Sequence, residues 1–477
     1  MEDYTVLPYG DISQPSFEGA VTDYRRDLTG IVNGSSDTNA ARELLILQLR
    51  SASAIRNNGY AKVALSRYVE NLKALHITWQ DKNGKKHNQM QDLWDEWAEN
   101  PMLDGVGSFD NWQTLLHTSQ FISGAHFTRY QIRKTGNSNR IPLKLEPIQT
   151  EYHDPLYMGY ETSKDIRYGI EFVDSKPLAY YFLKSRYDSS FAFRDKSYDY
   201  IRIPAKELLH VFKRTYPGQW LGIPEMTPVL IDLYSLDDLG DATISKQKAA
   251  QAISWIVKSA NTMSIAPVGT VRTEKDKDSN DKIVFKANGG NVQYLNKGED
   301  IAFYQSTDIG SNLLPFIQNE LRKIAASLDI PYFQFTGDYS GIDFSTLRGI
   351  SIELRNRIEY IHHFSTIPLA IKPVTSKFKE FAQFKVKKIE SIKPVFQLPR
   401  WYGVDELKDA QADVLEIQNG MSTLEAKLKE RHTTFEEVIA DRERIKEIGL
   451  DNLLFPNGNP MAQANNAQAN SNSTGNA

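Results

Sequence analysis

Five groups of residues carry side chains that nucleotide, metal or carboxylate chemistry would need. Gly105-Val106-Gly107-Ser108-Phe109-Asp110 imitates a phosphate-binding loop, in which glycines let backbone N–H groups close on a phosphate at a helix start. Here Asp110 stands where the third glycine belongs, and no strand pattern clearly precedes it. A nucleotide motor needs a glycine-rich cradle ending in Lys and Ser or Thr, and the nearest Gly-Lys pair, Gly84-Lys85, lacks both the upstream glycine and the hydroxyl. Asp276, Asp278 and Asn280 copy the opening of a calcium loop, but Asp281 replaces the turn glycine and Ala287 stands at the bidentate acid position. A solvated, charged hairpin is the plainer reading. His362 and His363 are adjacent, so on a helix they point about 100° apart and cannot face one metal as an i, i+4 pair would. Asp232, Asp237, Asp238 and Asp241 share the first half of a helical pattern with no candidate nucleophile beside them, which points to a solvated or interface face. No catalytic signature, metal site or cofactor site is expected.

Composition narrows the classes further. At 477 residues the chain has length for about three domains of ordinary size. Hydrophobic residues at 40% and charged residues at 24% are ordinary for a soluble chain. No run approaches the roughly 20 apolar residues of a membrane-spanning helix, and MEDYTVLPYGD lacks the basic and apolar regions of a signal peptide, so residence in the cytoplasm of the producing cell is expected. The absence of cysteine removes disulfides, thiolate metal sites and cysteine nucleophiles together. Formal net charge is −4, and Lys and Arg look scattered along the chain, without the basic stripe by which a protein grips nucleic acid.

The elements that position these residues read as follows. Ala40 to Lys73 is helical and broken at Asn57-Asn58-Gly59. Ile77 to Gln80 is strand-like, Met90 to Glu99 helical with Trp94 and Trp97 on one face, Trp112 to Ile122 helical, and Ala125 to Ile132 a strand. From Leu143 to His210 the period shortens to two, with Tyr168 to Phe172, Ala179 to Phe182 and Asp199 to Ile203 as strands of a tyrosine-dense β-rich region. A long helix is predicted from Pro228 towards Ala260, ~30 residues and roughly 45 Å. Short strands and the insert VRTEKDKDSNDKIVF follow, then a helix from Leu313 to Leu328. After Pro331 comes an acidic loop between Gly337 and Gly341, then a helix from Thr346 to Phe364, which Pro368 and Pro373 should kink or end. Asp405 to Ile448 is helical, with a stop at Asn419-Gly420 and capping-box spacings at Ser422/Glu425 and Thr434/Glu437. Phe455 to Ala477 contains no charged residue and few apolar ones, and should be a disordered tail. Periodicity alone leaves the helices Leu230 to Ala260 and Leu313 to Leu328 open to two readings: an antiparallel pair in an ordinary core, or a pair packed against neighbouring copies with an insertion at its far end.

The segments PGQWLGIPEMTP and RKIAASLDIPYFQFTGDYSGIDFSTLRG, with LRSASAIRNNGYAKVAL and WDEWAENPMLDGVGSF upstream, resemble in kind and order the lambda-type portal family of tailed bacteriophages. The resemblance covers roughly Ala40 to Leu450. It implies an α+β, multi-domain portal fold of wing, stem, clip and crown assembling as a dodecameric ring with a central channel. The expected divisions are an N-terminal arm at 1–39, wing at 40–226, first stem helix at 227–262, clip at 263–307, second stem helix at 308–331, tunnel loop at 332–347, long wing helix and connection at 348–400, helical crown at 401–450 and tail at 451–477.

The same resemblance implies a head-to-tail connector at one capsid vertex, assembled in the host cytoplasm and carried in the virion. Double-stranded DNA passes through it during packaging and ejection without sequence specificity. Its partners would be further copies of itself, terminase, the major capsid and scaffolding proteins and a head-completion adaptor. Asp338, Tyr339, Ser340, Asp343 and Phe344 would form the channel constriction, where two acids and no cation suit a loop that borders DNA without holding it. The clip residues Arg272, Glu274, Lys275, Asp276, Lys277 and Asp278 would meet terminase or adaptor, and Trp255 and Ile256 would pack near the clip end of the first stem helix. Other readings are a different virion ring component, such as another head-tail connector, or an enzyme of phage DNA processing, which would need the nucleotide or metal site that the sequence lacks.

Overall fold

A computed structural model describes residues 36–133, 140–159, 164–184, 199–252, 256–259, 299–302, 313–398, 406–430, 433 and 435–448. The chain divides into two compact units, Val229–Ser327 and the remainder.

The larger unit opens with α1 (Ser36–Asn57) and α2 (Gly59–Asn71). Asn58 separates them: its Oδ1 accepts from the Ala61 N–H at 2.9 Å, capping the second helix as the first ends. There follow β1 (His76–Gln80), α3 (Asn88–Glu99), α4 (Phe109–Ser123), β2 (Ala125–Ile132), β3 (Leu143–Ile148), β4 (Asp165–Arg167), β5 (Ile170–Val173), β6 (Lys176–Leu183), β7 (Tyr200–Pro204) and β8 (Leu208–Phe212). Two antiparallel sheets result, ordered β3-β2-β8 and β4-β5-β6-β7. Phe127 and Phe212 from one sheet and Ile170, Phe172, Tyr180 and Phe182 from the other share one buried core.

The smaller unit contains α5 (Leu230–Ala252), the antiparallel pair β9 (Ile256–Ser259) and β10 (Glu299–Ala302), and α6 (Leu313–Ser327). Lys323 of α6 pairs with Asp232 of α5 at 2.9 Å, which accounts for one member of the acidic group on that helix.

The chain re-enters the larger unit through α7 (Tyr332–Thr336) and α8 (Phe344–Ile361). A π-helical stretch, His362–Ile371, joins α8 to α9 (Lys372–Ala382), and β11 (Lys393–Gln397), α10 (Glu406–Gln418), α11 (Leu424–Glu430) and α12 (Phe435–Glu447) complete it. Strand β11 returns to pair with β1, His76 opposite Gln397 and Gln80 opposite Lys393. This closure builds the main core: Trp79, Trp94, Trp97, Phe109 and Phe378 are buried together, with Trp94 4.9 Å from Phe378 and 5.0 Å from Trp97. The indole N–H of Trp97 donates to the Leu143 carbonyl at 2.7 Å, so the polar atom of a buried aromatic is satisfied.

Gly222, inside the PGQWLGIP segment, shows why that segment reads as it does. A Cβ added there would lie 2.0 Å from the carbonyl oxygen of Gly124, itself the left-handed C-cap of α4 at φ 82°. Two backbones meet where neither tolerates a side chain.

Several expectations change. The long helix ends at Ala252, and Ile256 lies in strand β9; Trp255 is outside the described residues. At 1.5 Å per residue the 23 residues of α5 extend only ~35 Å. The β-branched pair Ile256-Val257 favours the strand over continuation of the alanine-rich helix. The strand expected over Tyr168 to Phe172 is split by a turn with Tyr168 at φ 56° and Gly169 at φ 70°, the paired left-handed geometry of a tight hairpin. Pro368 does not end its helix. The π-helical register, in which the Lys372 N–H reaches back to the Ile367 carbonyl, shifts the hydrogen bonds around the proline, and helical structure runs unbroken from Phe344 to Ala382. The N-cap of α11 is Thr423, whose Oγ1 accepts from the Ala426 N–H at 3.1 Å, and not Ser422. Thr434 lies outside the described residues.

Candidate functional site

The candidate loop is built by two helix ends. Beyond α6, Asp329 takes a left-handed conformation at φ 54°, Ile330 is buried, and Pro331 opens α7. Phe333 and Phe335 turn inwards, Phe335 lying 5.5 Å from Tyr60, and the Asn71 side chain donates to the side-chain Oε1 of Gln334 at 2.9 Å. Asp329 is held by Arg357 of α8 at 2.5 Å. The base of the loop is thus pinned to α2 and α8.

Gly337 ends α7 at φ 74°, its N–H donating to the Phe333 carbonyl at 2.8 Å. A residue with Cβ is disfavoured there, so the glycine is required by the cap rather than by motion. The loop then folds on itself. Asp338 Oδ1 accepts from the Ser340 N–H at 3.0 Å and from the Ser340 hydroxyl at 2.6 Å, and the Tyr339 ring rests 5.4 Å from Phe333. Asp343 is the N-cap of α8, accepting from the Thr346 N–H at 2.8 Å and the Ser345 hydroxyl at 3.0 Å. Hydrogen bonding to Thr346, and then to Ser345, holds its carboxyl below the usual range. Phe344 is the first residue of α8, so the loop proper is shorter than residues 332–347 and runs from Gly337 to Asp343.

All five proposed channel residues therefore lie on one short excursion, in unequal roles. Asp338, Ser340 and Asp343 are engaged in local hydrogen bonds, whereas Tyr339 and Phe344 present 62% and 52% of their surface to solvent. The capping role of Asp343 is the feature the reading missed; an Asp just before a helical pattern was its signal. Arg348, one turn into α8, pairs with Asp409 of α10 at 3.7 Å. The clip residues Arg272, Glu274, Lys275, Asp276, Lys277 and Asp278 lie outside the described residues, as does Asn280.

The other chemistry-like groups resolve into structure. Ser108 and Asn111 close a reciprocal capping box at the start of α4, occupying the N–H group that a phosphate would seek. His362 is buried beside His117, ring centroids 6.1 Å apart, while His363 points to solvent. Burial pushes both members of the pair down, His117 to about 3 and His362 to about 4. Among the described residues no group of three or more His, Asp or Glu is placed to hold a metal ion, and no helix is long and apolar enough to cross a membrane.

A family model described as phage portal protein, lambda family, matches residues 25–362, a span that contains both helices of the smaller unit and the whole loop. The chain belongs to the lambda family of phage portal proteins. It is 26% identical over 334 residues to a probable portal protein of Halomonas phage phiHAP-1, covering 66% of this chain and 62% of that protein's length. It is 22% identical over 460 residues to the portal protein of Escherichia phage N15, covering 83% of this portal chain and 82% of the other. Among solved structures, a chain from the neck of an empty gene transfer agent particle aligns with a TM-score of 0.46 at 13% identity, over 83% of this chain and 93% of that one. Helices α10 to α12 lie outside the span matched by the family model.

Proposed function

We propose that this portal chain assembles as a dodecameric ring at one capsid vertex, and that double-stranded DNA enters and leaves the head through its central channel. The observation that carries the reading is family membership over residues 25–362, supported by one relative described as a portal protein and another as a probable portal protein. Residues 40–226 and 348–400 form the wing, α5 and α6 the stem, residues 263–307 the clip and residues 401–450 the crown. The clip meets terminase during packaging and a head-completion adaptor afterwards, with Arg272, Glu274, Lys275, Asp276, Lys277 and Asp278 at the contact. Capsid and scaffolding proteins surround the ring, which is assembled in the host cytoplasm and carried in the virion. Its role is structural rather than enzymatic.

In this reading the loop from Gly337 to Asp343 approaches the channel axis. A constriction must border DNA without holding it, because each phosphate neutralised by Lys or Arg strengthens binding through released counterions. The excursion from Thr336 to Leu347 offers two carboxylates and no cation. Since Asp338 and Asp343 are tied into local turns, Tyr339 and Phe344 supply the surface that touches the duplex. The test is an infection lacking the native portal, complemented by the chain without Asp338–Phe344. Rings should form and heads should contain little DNA; heads carrying a genome of normal length would refute the loop's role.

A further inference from the structure

The fold gathers lysines that the sequence spaces about three hundred residues apart. Strand β1 ends at Gln80, which is paired with Lys393 across the β1–β11 ribbon and bridged to Lys86 across the following turn. That turn carries Lys82, Lys85 and Lys86, and is closed by the Asp81 N–H donating to the Lys85 carbonyl at 2.9 Å. From the other side, the Gln89 side chain donates to the Lys385 carbonyl at 3.3 Å, bringing the segment Lys385-Val386-Lys387-Lys388 against the start of α3. Segments 81–88 and 385–393 together hold seven lysines against two acids, in a chain of formal net charge −4. Lys82, Lys387, Lys388 and Lys393 are exposed. Crowding is felt nearby: the Lys379 ammonium is pushed down by its burial and also by the charge of Lys393, against the opposing pull of Glu390. Phe384 stands beside the cluster with 81% of its surface exposed.

We propose that this cluster is a docking surface for the phosphate backbone of duplex DNA, distinct from the acidic loop between Gly337 and Asp343. Two features favour DNA over an acidic protein. Lysine is depleted in protein–protein interfaces, whose centres are apolar, and this surface is lysine with a single exposed aromatic. Several mobile cations on two adjoining turns suit sequence-independent phosphate contact, in which position along the duplex does not matter. The proposal goes beyond the channel reading and does not require ring formation. It gives one chain two surfaces of opposite character, an acidic loop that sheds DNA and a basic corner that holds it.

The test is fluorescence anisotropy of the intact chain with labelled DNA duplexes of unrelated sequence, across a salt series. Contact with about four phosphates gives a log–log salt slope near −3.6, so a fourfold rise in salt weakens binding roughly 150-fold. The triple variant Lys82→Gln/Lys387→Gln/Lys388→Gln should bring that slope close to −1, and Lys393→Gln alone should reduce its magnitude by about 0.9. Lys62→Gln, on α2, should leave it unchanged. Thermal melts of each variant show whether the fold is retained, and Lys393→Gln serves if the triple variant melts early. Unchanged slopes in folded variants overturn the proposal, as does wild-type binding to polyglutamate without binding to duplex. Negative-stain images of the same samples report ring formation independently, so failure of the surface and failure of the portal reading are distinguishable.

Discussion

Lowering the pH from 7.5 to 5.5 should strip most of the stability from the larger unit. Five of the nine histidines lie there, His117, His126, His153 and His362 buried and His210 half-buried, and loss of water around the ring pushes each below the ordinary value of 6.5. His117 and His126 fall to about 3 and His153 and His362 to about 4. A depressed histidine stays neutral in the fold while the unfolded chain takes up its proton below 6.5, so stability is lost as pH falls. Each such group costs ~1.4 kcal/mol per pH unit. One unit below 6.5, at pH 5.5, the five together remove ~7 kcal/mol, comparable with the roughly 5–15 kcal/mol of a whole domain. The assay is denaturant unfolding followed by tryptophan emission, since Trp79, Trp94, Trp97 and Trp112 are all buried in this unit's main core. His117→Leu should flatten the acid slope by ~1.4 kcal/mol per pH unit. A total loss at pH 5.5 no larger than one proton's worth would refute the reasoning.

Three further outcomes follow from local geometry. Gly222→Ala should prevent soluble expression or lower the melting temperature sharply, because its Cβ would meet the Gly124 carbonyl; wild-type melting would contradict the close approach. Asn58→Ala should destabilise the chain by ~1 kcal/mol in a denaturant midpoint, the usual cost of a lost N-cap, and an unchanged midpoint would remove that role. Glu171 is held down to about 2 by the Arg202 guanidinium first and by Tyr181 and Lys164, so its contribution is present above pH 4.5 and lost as pH falls towards 2; Glu171→Gln should lower the neutral-pH melting temperature and abolish that loss.

Much of the fold was legible because local signals agreed. Asn58 between two helical patterns, the alternation in Ala125 to Ile132 and Asn419-Gly420 after α10 each combine period with a turn or cap, and each stands where expected. What escaped was set by contacts distant in sequence or by hydrogen-bond register. Nothing local to His76–Gln80 announces β11 as its partner, and without that pairing the lysines of two remote segments looked scattered. Pro368 carries the strongest helix-breaking signal in its neighbourhood, yet a shift of hydrogen-bond register absorbs it. At the loop, the acids and glycines were visible, but their use was not: Gly337 and Asp343 close helix ends, and Tyr339 and Phe344 are its large apolar side chains left broadly exposed.

The central claim is that copies of this chain close into a ring around a channel. Negative-stain class averages of the purified, full-length chain test it most directly. The account predicts closed rings with a central hole, twelve-fold in the assembled particle; a uniformly monomeric protein with nuclease or ATPase activity would contradict it.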